Sequence, residues 1–315
     1  MIHLRIVAPQ GVVQQTLEVL TRARSVTNVI HLPGASRKPS GDVVLCDVAR
    51  EDASVVLADL RALGLAESGS IAVEEVSTAI SEVARAAERA ATGSPADAVV
   101  WEEVEGRTSE GAELSFSFLA FMVLATLIAA AGIMTDSQIL IIGAMVVGPE
   151  FGPLAGFCVA VVERRPTLAR RSFAALAVGF PLAVVLTSVL TLVLRWLGPA
   201  PEEVTATSRP ATYFIAQPNT FSVVVATLAG VTGMLSLTTA KSGALIGVLI
   251  SVTTIPAAAN VGVAAAYGDW HEFGGALAQL GINLTCVVVA GIATLAFLRL
   301  FYSRRRREHL GQPAS

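Results

Sequence analysis

Ile142-Gly143-Ala144-Met145-Val146-Val147-Gly148-Pro149-Glu150-Phe151-Gly152-Pro153-Leu154 is the stretch on which the reading of this chain turns. It is apolar almost throughout, yet it holds two Gly-Pro pairs and one carboxylate. Proline removes an amide donor and crowds the carbonyl one turn earlier, so a helix kinks or ends there. In hydrocarbon an unpaired peptide group costs several kcal/mol, and non-helical backbone survives only inside protein or beside water. Glu150 has no charged neighbour between Ser137 and Val162. An ionised group at mid-membrane costs roughly 2.5–3.5 kcal/mol on insertion scales and marks an interior or an aqueous cavity. The stretch therefore predicts a broken helix carrying an acid that could bind a cation, carry a proton or cap exposed amides. A break lying at the membrane interface, with Glu150 simply wet, is the competing reading.

Outward from this point, six segments meet the requirement of roughly 20 apolar residues for a 30 Å hydrocarbon core. They are Phe116 to Met134, Gln138 to Val162, Phe173 to Leu194, Thr220 to Ala240, Ala244 to Tyr267 and Gly274 to Phe297. The second is interrupted at Gly148–Pro153 and the fifth around Thr253-Thr254-Ile255-Pro256, and either could be re-entrant. Ile142-Gly143-Ala144-Met145 is echoed by Ile246-Gly247-Val248-Leu249, with Pro153 and Pro256 at nearly the same distance downstream. Three spans repeated as three spans must run in opposite directions, the 3+3 inverted repeat of transporters with broken helices meeting near the midplane. Two proline kinks in a tightly packed bundle would give the same pattern. Asp136, in Thr135-Asp136-Ser137, is expected to cap the second helix.

Arginine placement sets the orientation. Arg164, Arg165, Arg170 and Arg171 lie between segments two and three, Lys241 between four and five, and Arg304 to Arg307 in the tail. With about six spans and a cytoplasmic N-terminus, all of these fall inside, and the loop from Gly198 to Asn219 falls outside.

The first 113 residues differ in kind. They carry 10 basic and 17 acidic side chains, whereas residues 116–303 carry 8 and 7. His3 to Val7 alternates as a half-buried strand, and Val12 to Val26 has helical spacing at Val13, Leu17 and Leu20. Asn28 to Leu32 reads as a second strand, Pro33 to Gly41 as a loop and Val43 to Val48 as a third strand. Ala53 to Leu63 reads as a helix closed by Gly64, and Ile71 to Val76 as a fourth strand. The order β-α-β-β-α-β is that of the ferredoxin-like split βαβ motif. The expected fold class is thus an α+β ferredoxin-like soluble domain (1–77) followed by an α-helical polytopic membrane domain (115–302). A helical, acidic linker (78–114) joins them and a basic cytoplasmic tail (303–315) ends the chain.

The chain has 315 residues, 53% hydrophobic and 15% charged, with a mean hydropathy of +0.65. A soluble domain carries about 25% charged residues, so the composition argues against an all-soluble enzyme. The net charge of -3 argues against a nucleic-acid partner, whose mark is a basic face. Cys46, Cys158 and Cys286 form no C-x-x-C pair, and His3, His31, His271 and His309 share no ligand spacing, so no metal and no cofactor are expected. The spans hold no Ser/His, H-E-x-x-H or paired-aspartate constellation, so no enzyme is expected either. Met1 to Ala8 alternates instead of forming a charged segment followed by an apolar core, which places the front domain in the cytoplasm.

The stretch from Ile142 to Leu154, together with Ile255-Pro256, Gly268-Asp269-Trp270 and Gly281-Ile282-Asn283-Leu284, resembles a bacterial and archaeal membrane family. It is called domain of unknown function 389, or the uncharacterised hydrophobic domain. The resemblance covers roughly residues 115–300. It implies a multi-spanning protein of the bacterial or archaeal inner membrane and brings no substrate or mechanism.

The expected function is a homo-oligomeric transporter or channel-like protein for a small solute or ion in the lipid bilayer. Glu150 is the expected responsive group, and Gly148, Pro149, Gly152, Pro153 and Pro256 shape the breaks. Asn260, Asn283 and Thr253-Thr254 could add oxygens or simply bond between helices. The alternative is a membrane-anchored sensor or scaffold whose front domain binds a ligand or partner.

Overall fold

Ile2, Leu4, Ile6 and Ala8 alternate along strand β1 (Ile2–Ala8), and every one of them is buried while the residues between are not. That alternation is the pleat of a strand with one face on a core. A computed structural model describes residues 1–76, 80–91, 98–205, 208–239 and 246–311. The chain forms two units, one built on Met1–Val104 and the other on Glu105–Leu237 and Ser242–Ser303.

The first unit is an antiparallel sheet of β1, β2 (Val26–Arg37), β3 (Ser40–Val48) and β4 (Ser70–Glu75), in the order β2-β3-β1-β4. The register pairs Ile2 with Val48, Leu4 with Cys46 and Ile6 with Val44, so apolar partners stand opposite one another on one face. Helices α1 (Val13–Arg22) and α2 (Arg50–Ala62) cover that face with Val13, Leu20, Ala53, Val56, Leu57 and Leu60. Each of the valine and leucine side chains contributes about 1.5–3 kcal/mol on burial. Gly64, with φ +74°, takes the left-handed position that closes α2 and leads into the short helix α3 (Leu65–Ser68). The expected loop from Pro33 to Gly41 is instead mostly strand: β2 continues to Arg37 and β3 resumes at Ser40, leaving Lys38-Pro39 as the turn. Ladder bonds that sequence spacing does not reveal, among them the pairing of Ser36 with Gly41, extend the hairpin.

Helix α4 (Glu82–Ala90) is capped by Ser81, whose hydroxyl accepts from the Ala84 amide. The first turn of α5 (Trp101–Gly111) belongs to the sheet unit. There the Trp101 amide donates to Ser54 Oγ, Ser54 donates to Glu102, and buried Arg50 pairs with Glu75 and Glu103. The linker stretch Gly93-Ser94-Pro95 lies outside the described residues, as do Lys241 and Ala244; the side chains of Thr253 and Arg304 to Arg307 are likewise not described.

The second unit is helical: α6 (Phe116–Met134), α7 (Gln138–Val147), α8 (Phe151–Glu163), α9 (Pro166–Leu197), α10 (Thr220–Thr238), α11 (Ile246–Tyr267) and α12 (Trp270–Gly311). Among the described residues, four helices are long and apolar enough to cross a membrane: α6, α9, α10 and α12. The pair α7 and α8, bent by 52°, makes a fifth if taken as one span. Segments one to four and six of the sequence reading coincide with these elements, and α11 carries the fifth.

One expectation is corrected here. Pro256 does not break α11, which runs unbroken from Ile246 to Tyr267, just as α9 runs through Pro181. A lone proline followed by Ala257, Ala258 and Ala259 costs one backbone bond, and good helix formers inside a packed bundle carry the helix across it. Only the doubled Gly-Pro stretch ends a helix. Two broken helices are thus one.

Candidate functional site: the helix break at Glu150

The break follows from the order of residues. A residue before proline is pushed out of the helical region into extended backbone, and Gly148, preceding Pro149, has ψ +125°. Helix α7 accordingly stops at Val147. Glu150 then adopts helical angles as the N-cap of α8. Pro153 falls in the first turn of α8, where its missing amide would have lacked a partner anyway. Two prolines four residues apart therefore do opposite things: one ends a helix and the other fits the start of the next.

Glu150 is 0% exposed. Its side chain does not cap its own helix; instead, Oε1 accepts a hydrogen bond from the Thr254 hydroxyl of α11 at 2.7 Å. The acid also sits at the N-terminal end of α8, where the helix dipole favours negative charge. Helix α11 is central: every residue from Thr254 to Ala264 is buried. It packs on Met122, Ala125 and Ala129 of α6, Ile141 and Ala144 of α7, and Phe180 and Ala183 of α9. Gly262 is what lets α9 come close, since a Cβ there would lie 2.8 Å from Thr187.

Beside the break α5 lies against α8. Gly111 and Gly152 meet backbone to backbone, and a Cβ on Gly152 would stand 2.5 Å from the Gly111 carbonyl oxygen. Glu105 pairs with Arg165 just beyond the far end of α8. The last described turn of α10 closes a half-open cavity of about 250 Å³ lined by Arg107, Thr108, Phe151, Gly152, Ala155, Ser236 and Leu237. Two of these residues directly follow Glu150 in the chain.

The other sequence candidates are placed differently. Gly148 and Pro149 make the break itself, and Gly152 makes the close approach. Pro256 lies inside α11, two residues beyond Thr254. Asn260 is buried on α11, where its Oδ1 accepts from Arg209 Nη1 at 3.1 Å. Asn283 is buried on α12, where its Oδ1 accepts from Gln279 Nε2 at 3.3 Å. Of the polar candidates, the hydrogen bonds join Thr254 to Glu150, while Asn260 and Asn283 take these other partners.

Asp136 does not cap α7; Ser137 does, accepting from the Leu140 amide. Asp136 instead accepts from the amides of Ala211 and Thr212 and from the Thr212 hydroxyl, at 3.2, 3.0 and 2.9 Å. It ties down the loop between α9 and α10, aided by Gln138, which donates to the Ala211 carbonyl. The same loop carries Arg209, 1% exposed and ion-paired with Glu272 in the first turn of α12. Sequence reasoning missed Arg209 and Glu272 because both stand in polar, terminal contexts that look solvated.

Several helices long and apolar enough to cross a membrane mark the chain as a membrane protein. In comparison with known proteins, the family model "Domain of unknown function (DUF389)" matches residues 145–289, so the resemblance read from the sequence holds. The chain is also similar to "Uncharacterized protein MJ0678" of Methanocaldococcus jannaschii, 24% identical over 194 residues. That match covers 62% of this chain and 58% of that protein. No solved structure matches the chain.

Proposed function

We propose that the chain is a non-enzymatic transporter or channel-like protein for a small solute or ion, with its site at the Gly148–Pro153 break. The observation that carries this reading is Glu150, fully buried and held by Thr254 of the central helix. Removing a carboxylate from water is expensive, and intramembrane acids mark ion or proton pathways. The cavity beginning at Phe151 and Gly152 supports the reading by bringing space to the foot of the break, in a mainly apolar wall that also carries Arg107, Thr108 and Ser236.

The same reading takes the front unit as a ferredoxin-like cytoplasmic domain, on the strength of its strand order and its two covering helices. It takes the bundle as about six spans in opposed triplets, on the echo between Gly143–Pro153 and Gly247–Pro256. The arginine-rich segments put both termini in the cytoplasm of a bacterial or archaeal cell, and the protein works as a homo-oligomer.

The test is flux into proteoliposomes across a panel of protons, alkali cations and small anions, wild type against Glu150→Gln. Flux of at least one species in the wild type, lost or reduced about 10²-fold or more in the variant, is expected for a positioned proton carrier. Equal flux for both proteins removes Glu150 from the mechanism.

A second reading, a sensor or scaffold, draws on a polar cluster in the sheet unit. His3 Nδ1 lies 2.8 Å from Asp47, and Asn28 donates to the same carboxylate at 2.6 Å. Ligand binding lost in Asp47→Asn, with no flux of any species, would favour that reading.

A further inference from the structure

The helical unit buries a second charged group that the break does not use. Arg209 comes from the loop between α9 and α10, and its position is fixed because Asp136 and Gln138 hold Ala211 and Thr212 immediately after it. Its guanidinium stands 5.3 Å from the Tyr213 ring centroid, pairs with Glu272 and donates to Asn260 of the central helix. A guanidinium has only donors, so the atom Asn260 turns toward it is the amide oxygen. The Asn260 amide nitrogen is then left as a donor. Among the described residues neither that nitrogen nor Arg209 Nε, both buried, has a hydrogen-bond partner, and Arg209 Nη2 meets Glu272 Oε1 as an ion pair alone.

We propose that Arg209 and Asn260 form a binding site for a small anion with two oxygen acceptors, a carboxylate in the first instance, with Glu272 as the internal occupant that the ligand displaces. This goes beyond the transporter reading: the site stands on its own geometry, and only the step from bound anion to transported substrate rests on that reading. A guanidinium fork matches two carboxylate oxygens side by side. Each buried donor without an acceptor costs free energy that such a ligand would recover. Burial lowers the Arg209 pKa only to about 10, so the group stays charged at neutral pH. The other acids at this end are committed elsewhere: Asp136 to three loop donors and Asp269 Oδ1 to the Glu272 amide at 2.9 Å. Glu272 is thus the one carboxylate that contacts Arg209 among the described residues. Arg209, Asn260 and Glu272 are all buried, so a ligand reaches the guanidinium only by displacing the Glu272 carboxyl.

The experiment is heat unfolding of the full-length protein in lipid nanodiscs with sodium acetate or sodium chloride at equal ionic strength. A ligand at free concentration c that binds only the folded state stabilises it by RT ln(1 + c/Kd), so the midpoint rises with the logarithm of ligand concentration above Kd. Acetate is expected to raise the midpoint of the wild type. Glu272→Gln, having lost the competing charge, should bind acetate about tenfold more tightly. Arg209→Lys should lose the response. A gain in Glu272→Gln cannot come from misfolding, so the test survives if Arg209→Lys does not fold. An unchanged or weaker acetate response in Glu272→Gln overturns the proposal, as does an equal response to chloride. If the acetate response behaves as expected while Glu150-dependent flux is absent, the transport reading fails and the site stands. Glu150-dependent flux without any acetate response is the reverse case.

Discussion

Substituting alanine for Gly152 tests whether α5 is seated on the break. The added Cβ would lie 2.5 Å from the Gly111 oxygen, 2.9 Å from its carbonyl carbon and 3.0 Å from its Cα. All three are backbone atoms, so no side chain can rotate away and α5 itself must lift from α8. Overpacking of this kind costs about 1–3 kcal/mol. The gain in helix propensity on replacing glycine, up to about 1 kcal/mol, is small in the first turn and offsets only part of it. Gly143 supplies the control: it is also helical and apolar in context, but a Cβ there meets nothing within 4 Å. Gly143→Ala should therefore be neutral or slightly stabilising. Reversible unfolding in mixed micelles, reported as the free-energy difference from wild type, separates the two variants by about 2 kcal/mol. Gly111→Ala, whose Cβ would approach only to 3.2 Å of the Gly152 Cα, should fall between them. If Gly152→Ala unfolds with the stability of Gly143→Ala, the backbone contact between α5 and α8 is wrong, and so is the wall of the cavity beside the break.

Two further outcomes follow from buried polar groups. Thr254→Val and Glu150→Leu, made singly and together in the same micelle assay, should be non-additive by about 1 kcal/mol, because each removes the buried hydrogen bond from the Thr254 hydroxyl to Glu150 Oε1; additivity within about 0.3 kcal/mol would place Thr254 off the acid. In the sheet unit, burial pushes the Glu51 carboxyl above its ordinary 4.5, with Glu88 and Asp52 adding to it against the pull of its own backbone amide. The folded state then binds the proton more tightly than the unfolded one, so this group's contribution falls as pH rises from the unfolded value through the folded value and stays low above it. Glu51→Gln should slow amide exchange of β1 and β3 a few-fold at pH 7 and lose that advantage below pH 4; equal exchange at pH 7 would contradict the burial of this acid.

Much of this architecture can be read from local sequence, because the forces that set it are local. The alternation of Ile2, Leu4 and Ile6, the turn at Gly64 and the Gly148-Pro149 dipeptide each act through one residue's own geometry. The apolar runs at Phe116 and Thr220 act through length alone. The departures come from contacts between distant parts of the chain. Asp136 leaves the helix it adjoins because loop amides more than seventy residues later offer better donors. Pro33 to Arg37 extends into strand because β3 supplies ladder partners. Pro256 stays helical because the bundle around α11 holds it, which no local rule encodes. Glu150 stood out from isolation among apolar residues; Arg209 did not, since its burial depends on a loop folding back onto α11.

The most direct test of the central claim is the aqueous reactivity of position 150. Glu150→Cys, in a background where Cys46, Cys158 and Cys286 are replaced, would be challenged with a small hydrophilic methanethiosulfonate reagent in proteoliposomes. Val185→Cys, at an exposed position midway along α9, provides the lipid-facing comparison. Modification at position 150 with none at position 185 is the predicted result. Two equally inert thiols would mean that the helix breaks in a dry, sealed core, and the proposed pathway would not exist.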